Sequence, residues 1–339
     1  MRKTLLLAAS LFAVAGPALT DAALADEVNV YTSRQESLIA PIFDAFTAET
    51  GTKVNVLYAE KGLIERLKAE GARGPADLYI TADIGSVKAA TDAGLTQPHG
   101  SAAVEAEVPE ALRDAGGHWF ALTTRARVAY TSKDRVDPAE VTTWESLADP
   151  KWKGRICIRP GAHSYNLALV AAMIAHHGRD GAKAWVEGLK ANLARKPQGN
   201  DRAQVKAVWA GECDIAIGNT YYMGKMLEEA DQRPWAESVN VIFPVFSGGG
   251  AHVNISGAAV TGSSPNRDAA LKLVEFMLGD GAQKLYAELN YEYPVRAGVP
   301  ASDLVASWGS FEPDTIPLTQ IGDLRGEALK IVEETGFDN

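Results

Sequence analysis

Cys213-Asp214-Ile215-Ala216-Ile217-Gly218-Asn219-Thr220-Tyr221-Tyr222-Met223-Gly224-Lys225-Met226 reads as a short apolar strand that breaks at Gly218-Asn219 and turns into a helix capped by Thr220. Two adjacent tyrosines then occupy the first helical turn. In open α/β sheets, ligands bind at such junctions, outside the carboxyl ends of the strands. The pair alone fits packing better than function, because tyrosines are common on half-buried surfaces. Its surroundings have to shift that balance.

Outward from this stretch, strand and helix alternate. Val28-Asn29-Val30-Tyr31 reads as a strand, Ser37 to Glu49 as a helix with Leu38, Ile39, Ile42, Phe43 and Phe46 on one side, and Val54 to Tyr58 as a second strand. A helix from Leu63 to Glu70, a strand Asp77 to Ile80 and a helix Ile84 to Ala93 follow. This β-α-β-α-β order predicts a mostly parallel sheet with helices on its faces. The rhythm then changes. His118 to Tyr130 is a β-type stretch long enough to leave one lobe and enter another. The strand Arg155 to Ile158 leads to a helix capped by Ser164, running to His177 and stopped by Gly178; helices Gly181 to Leu193 and Arg202 to Ala210 precede the opening stretch. Val239 to Phe246 is a strand, and after Gly248-Gly249-Gly250 the segment Val253 to Val260 reads as a second crossover. The expectation is an α/β, two-lobed periplasmic-binding-protein fold, type II-like, with two crossover strands forming a hinge. Residues 26–124 with 254–300 would form lobe 1, 125–253 lobe 2, and 301–339 a C-terminal helical tail packing on the lobes.

The first residues bear on compartment. Arg2-Lys3, the apolar run Thr4 to Gly16 and the small residues Ala23-Leu24-Ala25 form a signal-peptide pattern, 1–25, with cleavage after Ala25. The run is shorter than the roughly 20 residues a membrane span needs. The expected mature chain is exported to the periplasm, without stable membrane insertion, and a monomer. The 33 basic and 43 acidic residues give a net charge of −10; loss of Arg2, Lys3 and Asp21 makes it −11, a poor match for nucleic acid. Cys157 and Cys213 are the only cysteines. An even count in an exported chain favours a disulfide between neighbouring strands over a metal site, since no C-x-x-C or nearby histidine accompanies them.

Tyr31-Thr32-Ser33-Arg34-Gln35, Thr81-Ala82-Asp83, His163-Ser164-Tyr165 and Asn219-Thr220-Tyr221-Tyr222 all follow a strand and precede a helix. They belong on one rim, so Tyr165, Tyr221 and Tyr222 converge by topology. A phenol ionises near pKa ~10 and needs strong help to bind as phenolate. A hard, triply charged cation such as Fe(III) supplies it, whereas calcium or magnesium calls for carboxylates and carbonyls and zinc for His and Cys. The alternative is an aromatic platform for an organic cation, a polyamine or thiamine-like solute, with Asp83 or Glu60 as counter-charge.

The chain resembles the periplasmic ferric-iron-binding proteins, the soluble receptors of iron ABC importers, over essentially its mature length. The resemblance rests on Val28 to Gln35, Phe46 to Gly51, Pro75 to Leu78, Thr123 to Val128 and, most specifically, Gly218-Asn219-Thr220-Tyr221-Tyr222. It implies that Tyr221 and Tyr222 bind the metal and that Tyr165 is the third tyrosine of a tyrosine-rich subgroup. Many members place a histidine at the position of Gln35 and a glutamate near Ala82-Asp83; this sequence has neither, and the subgroup completes its shell with carbonate or another small anion. Arg34, with Gln35 as hydrogen-bond partner, and Arg127 are the residues expected to face that anion. The implied partner is an inner-membrane ABC permease.

Other patterns carry less. Gly218 to Lys225 is not a phosphate loop, because Met226 stands where Ser or Thr should follow the lysine. His176-His177 reads as a helix-end turn and His163 as a solvent-exposed loop residue. Tyr291, Tyr293 and Trp119 read as cleft-wall or packing residues. No G-x-S-x-G, H-E-x-x-H or nucleophile–base pair suggests an enzyme.

Overall fold

The computed structural model describes residues 27–339; the expected signal peptide and its cleavage after Ala25 lie outside them. Strands β1 (Glu27–Thr32), β2 (Lys53–Tyr58) and β3 (Leu78–Thr81) pair in parallel, in the order β2-β1-β3. The helix Glu36–Thr50 buries Leu38, Ile39, Ile42, Phe43 and Phe46, the spacing that gives one apolar stripe. Val28, Val30, Leu78 and Ile80 are fully buried beneath it. Strand β4 (Thr96–Gln97) is a short edge pairing.

The thirteen-residue β5 (Phe120–Ser132) joins the two lobes. Its first half, Phe120 to Ala126, runs antiparallel to a later strand of the first sheet. Its second half forms the centre of another sheet with β6 (Ile156–Cys157), β7 (Ile215–Asn219) and β8 (Val239–Ile242), in the order β8-β5-β7-β6. The first sheet is closed by β9 (Val253–Thr261), between β3 and β5, with β10 (Tyr293–Pro294) on β5. Thus β5 changes sheets in mid-strand, whereas β9 lies wholly in the first sheet. The return is made before it, through the irregular segment 243–252, so the strand expected to end at Phe246 stops at Ile242.

The segment Ser164–Ala191 is two helices that meet at Gly178, whose φ of 70° and ψ of 174° are non-helical and tolerated by glycine; the first helix stops where expected. His176 and His177 end the first of these helices, as expected, but their rings are not free. They pair with Asp314 at 2.9 Å and Glu145 at 2.6 Å, beside the returning segment. Trp119 is core. The tail helices Leu318–Asp323 and Arg325–Glu334 lie against Ser164–Ala191, and the first also touches the helix Ile84–Asp92, where Lys88 pairs with Asp323 at 2.7 Å. Among the described residues no helix is long and apolar enough to cross a membrane.

Candidate metal centre

Parallel pairing of β6 and β7 sets Cys157 beside Ala216, and Cys157 and Cys213 form a disulfide with Cα atoms 5.9 Å apart. Both strands therefore reach the same rim. After β6 the chain turns into the helix that begins at Ser164; after β7 it turns directly into the helix Tyr221–Glu228. The Tyr165 and Tyr221 hydroxyls meet at 3.0 Å, and the rings of Tyr221 and Tyr222 lie 4.3 Å apart, centroid to centroid. Gly218 sits in the strand because the Tyr130 ring occupies the place of a Cβ, and the Tyr130 hydroxyl donates to the Asn219 carbonyl at 2.5 Å.

Two caps differ from expectation. Thr220 already has helical φ and ψ, so its side chain makes no cap bond and its hydroxyl is buried without a protein partner. Ser164 is likewise helical. The extended residue is His163, whose Nδ1 accepts the Tyr165 N–H at 3.2 Å. His163 is thus partly buried, its ring edge-on to Tyr165 at 4.5 Å, and burial, aided by Arg159, pushes its pKa down to about 3. It is a neutral cap rather than an exposed loop residue.

Tyr221 and Tyr222 are each 3% exposed. Burial pushes all three phenols well above the usual range; Arg125 opposes this for Tyr165 and Tyr221, and Arg159 for Tyr222. At neutral pH the site therefore holds neutral hydroxyls, which a strongly charged cation must displace from their protons.

The guanidiniums of Arg127 and Arg159 lie 5.8 and 5.0 Å from the Tyr165 ring centroid, and that of Arg125 lies 5.9 Å from Tyr221. Arg127 donates to Asp201, Asn219 and Asn166. Both terminal nitrogens of Arg34 donate to Glu292, at 2.9 and 3.0 Å, and one also meets Ser256. Gln35 stands at the N-cap position without capping, and its Nε2 reaches the Tyr222 hydroxyl at 3.5 Å from the other lobe. Tyr31 instead donates to Glu70 at 2.9 Å, away from the cluster. Asp83 caps the helix Ile84–Asp92 by accepting from Ser86, and Glu60 is exposed. Neither carboxylate supports the organic-cation reading.

Arg125, Arg159, Asp201 and Glu292 were missed in the sequence. The period-two spacing of Arg125 and Arg127 on a strand was a usable signal. Asp201 and Glu292 carried none, because their partners are distant in the chain. Among the described residues no group of three or more His, Cys, Asp or Glu side chains converges as a metal cluster.

A model of bacterial extracellular solute-binding proteins matches residues 42–313. The chain belongs to this family. This solute-binding protein is 45% identical over 326 residues to iron uptake protein A1 of Synechocystis, covering 94% of this chain and 91% of that one. The structure of apo ferric ion-binding protein A of Pasteurella haemolytica superposes with a TM-score of 0.89 at 49% identity, over 93% of this chain and 99% of that one. A Trichodesmium protein solved with iron and citrate gives 0.85 at 40% identity, over 92% and 99%. The two-lobed α/β fold is that of these binding proteins.

Proposed function

We propose that this chain is a periplasmic receptor that captures ferric iron between its lobes and delivers it to an inner-membrane ABC permease. Lobe 1 comprises 26–124 with 254–300 and lobe 2 comprises 125–253. The reading rests on one observation above all: Tyr165 and Tyr221 are in hydroxyl contact, with the Tyr222 ring tilted against that of Tyr221, on a single rim. Each phenol loses its proton as the ion binds, and the three phenolates neutralise the trivalent charge. Carbonate or another small anion completes the shell. The buried Nε–H groups of Arg34 and Arg127, which have no protein partner, support such a guest, as does Gln35 at the cleft.

The guanidiniums of Arg34, Arg125, Arg127, Arg159 and Arg202 around the site work against an organic cation. The chain is a carrier rather than an enzyme, with iron as cargo. Ferric loading of the mature protein should produce a visible phenolate-to-iron charge-transfer band. The Tyr221→Phe/Tyr222→Phe protein should lose both band and binding; a colourless loaded wild type would sink the reading.

A further inference from the structure

Two buried carboxylates outside the phenol cluster share one arrangement. In lobe 1, Glu292 is fully buried; it accepts from Arg34 at 2.9 and 3.0 Å, from Arg125 at 3.2 Å and from the Thr123 hydroxyl at 3.0 Å. In lobe 2, Asp201 is also fully buried; it accepts from Arg127 at 3.1 Å, from Arg159 at 3.0 Å and from the Asn219 N–H at 2.9 Å. Each carboxylate thus joins two guanidiniums, a group with one net positive charge. Three of the four guanidiniums lie over phenol rings. Asp201 also anchors Asn219, the last residue of β7, two residues before the helix that begins with Tyr221.

Such groups are a costly way to stabilise a fold, since taking several charges out of water opposes their mutual attraction. Their placement accounts for them better. A guanidinium fixed over a ring stabilises the phenolate when it forms, and a fixed cation needs no reorganisation at that moment. The lobe 2 clamp lies beside the phenols; Glu292 of lobe 1 holds Arg125, on the strand that joins the lobes, 5.9 Å from the Tyr221 ring.

We infer that Asp201 and Glu292 are positioning residues for metal capture, one per lobe, each holding an arginine pair against the phenol cluster. The inference rests on the phenolate–iron reading and adds residues that touch neither ion nor ring. A third carboxylate provides the control. Asp214 also joins two guanidiniums, Arg135 and Arg155, at 2.5 and 2.6 Å, but it is partly exposed and the ring beside Arg155 is the Trp152 indole rather than a phenol.

The test loads the mature protein with ferric nitrilotriacetate and compares Asp201→Asn, Glu292→Gln and Asp214→Asn with the wild type. The measurements are the charge-transfer band, ferric affinity in competition with citrate, and thermal unfolding without iron. Asp201→Asn and Glu292→Gln should each weaken iron binding about tenfold or more and move the band. Asp214→Asn should change only the unfolding temperature. If Asp201→Asn fails to fold, Arg159→Lys keeps the charge but loses the planar group over Tyr165, and should move the band in its place. A coloured wild type with unmoved Asp201 and Glu292 variants overturns the inference alone, as does an equal shift in Asp214→Asn. A wild type that takes up no iron overturns the metal reading and the inference with it.

Discussion

On lobe 2 the ends of β6 and β7 deliver Tyr165, Tyr221 and Tyr222 to the cleft; on lobe 1 the ends of β1 and β3 deliver Arg34, Gln35 and Asp83. Both sets occupy strand-to-helix junctions, yet their side chains are committed differently. Arg34 is held by Glu292 and Asp83 by its own helix, which leaves Gln35 as the lobe 1 side chain that reaches a phenol. Fold topology therefore brings residues to the rim without deciding which of them can bind. In the proposed receptor, lobe 2 supplies the charge that holds the ion and lobe 1 closes over it.

The largest expected effect is on protons. Burial holds the three phenols neutral well above neutral pH, so iron binding should release about three protons and its affinity should fall steeply as pH falls. Calorimetry in buffers of different ionisation enthalpy counts them. Tyr165→Phe should reduce the count to about two and cost more than the roughly 10–100-fold typical of residues behind the ligands. Gln35→Leu should keep about three and cost less than tenfold. Equal losses in the two variants would break the division of labour between lobes.

A smaller effect probes closure. Tyr291 has a φ of 58°, and its ring occupies the space that a Cβ on Gly224 would need; its hydroxyl donates to Glu228 at 2.7 Å. This contact joins the helix Asp280–Asn290 of lobe 1 to the helix that carries Tyr221 and Tyr222. Gly224→Ala overpacks it, a cost of about 1–3 kcal/mol, and should hold the lobes apart. Scattering should show less contraction on iron loading, with affinity falling roughly ten- to hundredfold, and Tyr291→Ala in the same chain should restore both. Full contraction in Gly224→Ala would remove the contact from the account.

The long β5 and the strand–helix junctions were legible because period-two and helical spacing are local. So was the convergence of the phenols, since parallel strands with crossover helices return to one edge. The clamp carboxylates were not legible: Glu292 meets Arg34 across 258 residues and Asp201 meets Arg127 across 74. The caps failed for a different reason. Residue type favours Ser and Thr, but the cap must be the last extended residue, and at the Tyr165 helix that residue is His163. Tyr291 read as packing, and its left-handed backbone had no signal in the sequence.

The smallest effect lies at the joint between the lobes and should leave iron binding unchanged at neutral pH. His252 ends the returning segment, its carbonyl accepts the Arg127 N–H at 2.9 Å, and neither ring nitrogen has a protein partner. Burial, reinforced by Arg127, pushes its pKa down to about 3, against about 6.5 in the unfolded chain. The neutral ring therefore favours the fold fully above the unfolded value. As pH falls from there towards 3 the unfolded chain gains the proton first, and stability drops by about 1.4 kcal/mol per pH unit. His252→Leu removes that titration and leaves no polar atom unsatisfied. Its unfolding temperature should match or exceed the wild type's at pH 7.5 and fall less between pH 6 and 4. An acid limb as steep as the wild type's would place the acid sensitivity within one of the lobes rather than between them.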